Sequence, residues 1–159
     1  MSVFFLDTSA VVKLYLSENG SPELLQTVNP NDHLLVILTL TEVEFRAAIR
    51  KRQRMGDIDQ DYARDSILLF ERHIKKNYAR VLTNTQVQNT AKTFVDRYIL
   101  RAYDAMQLAG CIASRHSFYE APVFVSADSA LNRAAIGEGL RIYNPMIDAS
   151  AVPPTRDQS

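Results

Sequence analysis

The chain has one cysteine, Cys111, among its 159 residues, so an internal disulfide is excluded. Cys111 falls inside an apolar helical pattern and reads as a small core residue, which suits a reducing compartment and a cytoplasmic location. Net charge is also missing: 18 Lys and Arg balance 18 Asp and Glu. Bulk charge therefore announces no nucleic-acid partner, although a local basic patch stays open. No apolar run approaches the roughly 20 residues of a membrane span. The amino terminus lacks a charged leader region, and its apolar start is broken by Asp7, so no signal peptide and no membrane association are expected. The three histidines and one cysteine show no zinc-ligand spacing. No glycine-rich phosphate loop, internal repeat or low-complexity tract is present.

What is present is a repeated grammar. Val3-Phe4-Phe5-Leu6 is an unbroken apolar run of the buried-strand kind, followed by Asp7-Thr8-Ser9 and an apolar-periodic helix from Ala10. A second buried strand is expected at 33–38, and a third strand at 78–82. Val123-Phe124-Val125 is a fourth, followed by Ser126-Ala127-Asp128 and a short helix over 129–136. A last strand is expected at 140–143. Helices are expected over 23–28, from Thr41 to about Arg54, from Asp59 to about Lys76, over 83–98 and over 100–116. Ser21, with Pro22 after it, is the expected cap of the 23–28 helix. Strands alternating with helices predict an α/β protein with a mainly parallel central sheet covered on both faces. Residues 1–148 are expected to form one domain. Two prolines and a polar end predict a disordered tail over 149–159.

Four carboxylates stand out, and each has a plain structural reading beside the functional one. Asp7 and Asp128 sit where strands end, the edge at which open α/β sheets bind ligands. Each also suits the N-cap of the next helix. Asp104 lies in a segment, 99–113, that is apolar almost all round, where a carboxylate needs a cation or an ion pair with Arg101 or Arg97. Glu44 follows Thr41 at capping-box spacing, on a helix whose apolar stripe is read as Val43, Ala47, Ala48 and Ile49. Four close carboxylates repel one another unless a cation neutralises them, and hard oxygen ligands select Mg²⁺ or Mn²⁺. Thr8, Ser9 and Ser126 can orient carboxylates or waters, or simply cap helices. Arg46, Arg50 and Arg54 recur every four residues along one helical face, as a phosphate track or a solvated surface.

At these positions the chain resembles the PIN-domain ribonucleases, most closely the VapC-type toxins of bacterial toxin–antitoxin pairs. Val3-Phe-Phe-Leu-Asp7-Thr-Ser-Ala resembles the family's opening motif. Thr41-Glu-Val-Glu44-Phe-Arg-Ala-Ala resembles the second and selects Glu44 over Glu42. Leu100-Arg-Ala-Tyr-Asp104-Ala-Met-Gln-Leu-Ala is similar to the third, and Phe124-Val-Ser-Ala-Asp128-Ser-Ala-Leu to the fourth. Gln107 departs from the His that close relatives often carry. The resemblance implies a three-layer α/β/α fold. It implies Mg²⁺- or Mn²⁺-dependent cleavage of single-stranded RNA by metal-activated water, with Asp7, Glu44, Asp104 and Asp128 as catalytic metal ligands. It also implies a cognate antitoxin and a homodimer. Two rivals are an aspartate-nucleophile phosphatase, which normally has a second Asp where Ser9 stands, and a catalytically silent PIN-like module that binds RNA or protein.

Overall fold

The apolar runs become the strands of one sheet. The computed structural model describes residues 1–147 and contains β1 (Val3–Leu6), β2 (Leu34–Leu38), β3 (Tyr78–Val81), β4 (Val123–Val125) and β5 (Ile142–Tyr143). Their order is β3-β2-β1-β4-β5, and every pairing is parallel. Phe5 of the central strand lies opposite Val36 of β2 on one side and Phe124 of β4 on the other. All four residues of β1 are buried, which is why its sequence is apolar without alternation.

The helices are α1 (Thr8–Tyr15), α2 (Ser21–Thr27), α3 (Leu40–Arg54), α4 (Gln60–Asn77), α5 (Thr85–Arg97), α6 (Ala102–Ser114) and α7 (Ser129–Gly137). Successive side chains of a strand face opposite sides of a sheet. Phe4 and Leu6 accordingly join one core with residues of α1 to α4, while Val3 and Phe5 join a second core with residues of α5 to α7. These two cores are the expected three-layer α/β/α arrangement. No described helix is long and apolar enough to cross a membrane. The tail expected over 149–159 lies outside the described residues.

Several local expectations change. Gly20, not Ser21, is the N-cap of α2. Its φ of 84° demands glycine, and so does the Pro145 carbonyl oxygen, which a Cβ at this position would overlap. Ser21 Oγ instead donates to the Leu16 carbonyl and accepts from the Glu18 amide. The capping box at Thr41 does not form: α3 starts at Leu40 behind Thr39, which makes no side-chain cap. The buried stripe of α3 is Thr41, Phe45 and Ile49, whereas Val43 points outward. Of the stripe read from the sequence only Ile49 is buried; Phe45 takes the inward position and packs on Phe70, with ring centroids 4.2 Å apart.

Candidate active site

Parallel strands end at the same edge of a sheet, so the segments that follow them meet there. Asp7 follows β1, and Ser126-Ala127-Asp128 follows β4 beside it. Thr41 and Glu44 come from the start of α3, after β2. Asp104 and Gln107 come from the first two turns of α6.

Asp7 is the innermost acid, 3% exposed. It is the N-cap of α1: its Oδ1 accepts from the Ala10 amide at 2.9 Å and from Ser9 Oγ at 2.7 Å. Its Oδ2 accepts from the fully buried Ser126 hydroxyl at 2.7 Å. Ser126 Oγ in turn accepts from the Asp128 amide at 3.0 Å, and Ser9 Oγ accepts from the Ala127 amide at 3.1 Å. These bonds tie the start of α1 to the turn between β4 and α7. Burial pushes the Asp7 carboxyl up from an ordinary 3.8 to about 6; the donors Ser9, Ala10 and Ser126 hold it back, and the charge of Asp104 pushes it further.

Glu44, freed from capping, turns toward the same edge. Its Oε1 accepts from Thr8 Oγ1 at 2.9 Å and from Gln107 Nε2 at 2.8 Å. Burial raises its pKa, the bonds from Gln107 and Thr8 lower it, Asp104 raises it and Arg101 lowers it. Gln107 is 2% exposed, and its Nε2 also lies 2.8 Å from Thr41 Oγ1 and 3.1 Å from Thr8 Oγ1. Its Oε1 has no hydrogen-bond partner among the described residues. A buried acceptor left unpaired is costly, and here it sits beside the acids.

Asp104 is less enclosed than its apolar helix suggests. It occupies the first turn of α6, where a negative charge suits the helix dipole, and its side chain is one-fifth exposed. The apolar residues around it belong to the buried turns that follow. Arg101 Nε donates to Asp104 Oδ2 at 2.9 Å, so the ion pair foreseen for this residue does form. Arg97 pairs with Glu138 instead. Asp128 Oδ1 accepts from the Leu131 amide as N-cap of α7, leaving Oδ2 at 3.9 Å from Arg101 Nη2. Capping and site placement therefore coexist at Asp7 and at Asp128, because a carboxylate has two oxygens and capping can occupy one.

The donor set consists of oxygens alone, which suits a hard divalent ion. The spacing does not close around one: among the described residues, no three of His, Cys, Asp and Glu are grouped to hold a metal. The charge found among these acids is the Arg101 guanidinium. Arg101, Gln107 and Thr41 are residues that sequence reasoning left outside the site. A polar residue one turn after Asp104, on the buried face of an apolar helix, was the available signal for Gln107.

The basic face of α3 is partly committed elsewhere. Arg46 pairs with Glu71 of α4, and Arg50 Nη1 donates to Gln53 Oε1 at 2.8 Å. Arg54, ten residues beyond Glu44, lies about 15 Å further along the helix at 1.5 Å per residue.

The sequence profile of the PIN domain matches residues 4–137, a span from β1 to the end of α7 that holds all four acids. No curated protein sequence matches the chain. Among solved structures, VapBC2 from Rickettsia felis, bound to a DNA fragment from its promoter, superposes with a TM-score of 0.63 at 11% identity, covering 89% of this chain and 98% of that one. A toxin–antitoxin complex from Klebsiella pneumoniae gives 0.63 at 13% identity, covering 89% and 97%. FitAcB from Neisseria gonorrhoeae gives 0.54 at 13% identity, covering 90% and 97%. At such identities the likeness is one of fold, whereas the profile match covers most of the sequence itself. The chain belongs to the PIN-domain family.

Proposed function

We propose that this protein is a Mg²⁺- or Mn²⁺-dependent endoribonuclease that cleaves single-stranded RNA, and that it is the VapC-type toxin of a toxin–antitoxin pair. The observation that carries the reading is the gathering of Asp7, Glu44, Asp104 and Asp128 at the carboxyl edge, with Asp7 and Glu44 both pushed up by burial and by Asp104. Buried carboxyls from separate elements, at the edge where α/β sheets bind ligands, suit a site that takes up cationic charge. The four acids are the proposed ligands and catalytic residues. A divalent ion bound by them supplies an acidified water and Lewis-acid stabilisation of phosphodiester charge.

The rest is done by this chain's own groups. Ser9 and Ser126 fix both oxygens of Asp7. Thr8 and Gln107 fix Glu44 through one oxygen and leave its other oxygen uncommitted among the hydrogen bonds described. Gln107 donates here without titrating, so a glutamine in place of the family's frequent His is compatible with activity. Arg46, Arg50 and Arg54 are the proposed phosphate contacts. Residues 1–148 are the proposed nuclease domain, and the protein is expected to be cytoplasmic and homodimeric with a cognate antitoxin. The neighbour whose name describes a toxin–antitoxin complex supports the antitoxin.

The second reading, a catalytically silent PIN module, is favoured by one observation: Arg101 pairs with the acids where a metal is expected. Cleavage of a single-stranded RNA panel by wild type and Asp104→Asn, in Mn²⁺ or EDTA, separates the two. The nuclease reading expects metal-dependent cutting that drops by about 100-fold or more in the variant, the scale of losing a group that stabilises the transition state. Uncut RNA, with no thermal stabilisation of the wild type by Mn²⁺, favours the silent module.

A further inference from the structure

Arg101 stands in the connector between α5 and α6, at the N-cap position of α6, where it makes no capping bond. Its side chain is 82% exposed, yet it is not idle. Nε reaches Asp104 Oδ2 at 2.9 Å and Nη2 lies 3.9 Å from Asp128 Oδ2. The charge of Glu44 acts on it as well. Two of the four acids, from two different elements, thus lie within 3.9 Å of one guanidinium, and no three acids among the described residues are grouped to hold a metal while it is there.

A guanidinium and a divalent ion compete for the same carboxylate oxygens. The contact is exposed to water, so it is weak and exchangeable. A phosphodiester offers what Arg101 otherwise takes from Asp104, namely paired anionic oxygens that match the guanidinium fork. We propose that Arg101 is the resident cation of the site, transferred from Asp104 and Asp128 to a phosphodiester of the RNA when RNA and the divalent ion bind. This rests on the nuclease reading above and deepens it. No bond is made or broken; the guanidinium changes partner. With Arg101 drawn away, Asp104 and Asp128 would be open to a divalent ion, and with an ion held there the guanidinium would be left to the RNA. The two ligands therefore favour each other's binding, and by linkage each does so by the same factor. Without RNA, Arg101 would compete with the ion for Asp104 and Asp128 and lower, without abolishing, the site's affinity for it.

The test uses two separate titrations of the full chain. Mn²⁺ binding without RNA is measured by calorimetry, and binding of a fluorescent single-stranded oligoribonucleotide is measured by anisotropy in EDTA. Arg101→Ala is expected to tighten Mn²⁺ binding by about 5-fold or more and to weaken RNA binding by a similar factor, the ordinary range of coupling between sites. Arg101→Lys keeps the charge without the fork and is expected to fall between. Arg64→Ala, an exposed change on α4, is the control for removing one positive charge. Circular dichroism in EDTA checks that each variant is folded, as expected for a side chain this exposed. If wild type binds Mn²⁺ and Arg101→Ala binds it no more tightly, the inference fails while the nuclease reading survives. Unchanged RNA binding in Arg101→Ala also overturns it. If neither wild type nor Arg101→Ala takes up Mn²⁺, the nuclease reading falls and the inference falls with it. Uptake by Arg101→Ala alone is the strongest support.

Discussion

The two ends of the same parallel sheet treat buried polar groups in opposite ways. At the amino end, Tyr15 OH bonds to His73 Nδ1 at 2.9 Å and to Tyr78 OH at 3.1 Å, within an aromatic cluster that continues through Phe45 and Phe70. Burial pushes both phenols up, Tyr78 to about 12, and pushes His73 down. Every member of the trio is thereby held neutral near pH 7. At the carboxyl end Asp7 is buried as an acid, the charge of Asp104 pushes it further up, and the two buried side-chain polar atoms without a hydrogen-bond partner among the described residues, Gln107 Oε1 and Asn132 Oδ1, lie nearby. Asn132 belongs there because its Nδ2 donates to the Ser126 carbonyl. One end is built for stability and the other gives some of it up, which is the pattern of a binding edge on a rigid scaffold.

The contrast can be broken by mutation. The largest effect is expected from Phe70→Ala, which empties the centre of the amino-end aromatic cluster. It should cost about 3–5 kcal/mol in urea unfolding, the usual range for a buried phenylalanine. A cost near 1 kcal/mol would mean that the cluster is loosely packed and the contrast overstated.

Asp7→Asn should act in the other direction. A carboxyl whose folded pKa lies above its unfolded value favours the folded state when protonated. Its contribution is full below about 3.8 and is lost as pH rises through about 6. The neutral amide, an equally good N-cap, escapes that loss. In EDTA at pH 7.5 the variant should gain up to about 3 kcal/mol, from roughly two pKa units at 1.36 kcal/mol each. At pH 4 the gain should shrink toward zero. A gain that is the same at both pH values would locate its cause outside Asp7 ionisation. Mn²⁺ stabilisation should be lost in the same variant.

Tyr15→Phe is the smallest of these changes. It removes one hydroxyl and leaves His73 and Tyr78 each short of a partner, at about 1–2 kcal/mol at pH 7.5. A neutral result would show that water replaces the hydroxyl and that the amino end is wetter than its packing indicates.

Much of the fold was legible in the sequence because strand burial in a parallel sheet leaves a plain record. Val3–Leu6 and Val123–Val125 are apolar without alternation since both faces of each strand are covered. Asp7 and Asp128 were legible for the same reason, because each ends such a run. Glu44 was harder. Its spacing from Thr41 fits a capping box, and only the N-cap of α3 two residues earlier, at Thr39, with Thr8 and Gln107 arriving from other elements, turned it to the sheet edge. Asp104 was read as enclosed, since a sequence pattern does not mark which turn of an apolar helix lies at the rim. Arg46, Arg50 and Arg54 do follow a four-residue spacing, but spacing gave no hint that Glu71 comes across from α4 to hold Arg46.

The sequence by itself determined the strands, the helices between them and the positions of the acids, because hydrophobic period and strand-terminal residues act locally along the chain. The family membership followed from the same order of residues. Only the tertiary structure decided which polar partners each acid receives. Ser126 meets Asp7 across 119 positions and Gln107 meets Glu44 across 63, and contacts at such separations depend on how layers pack rather than on any neighbouring residue.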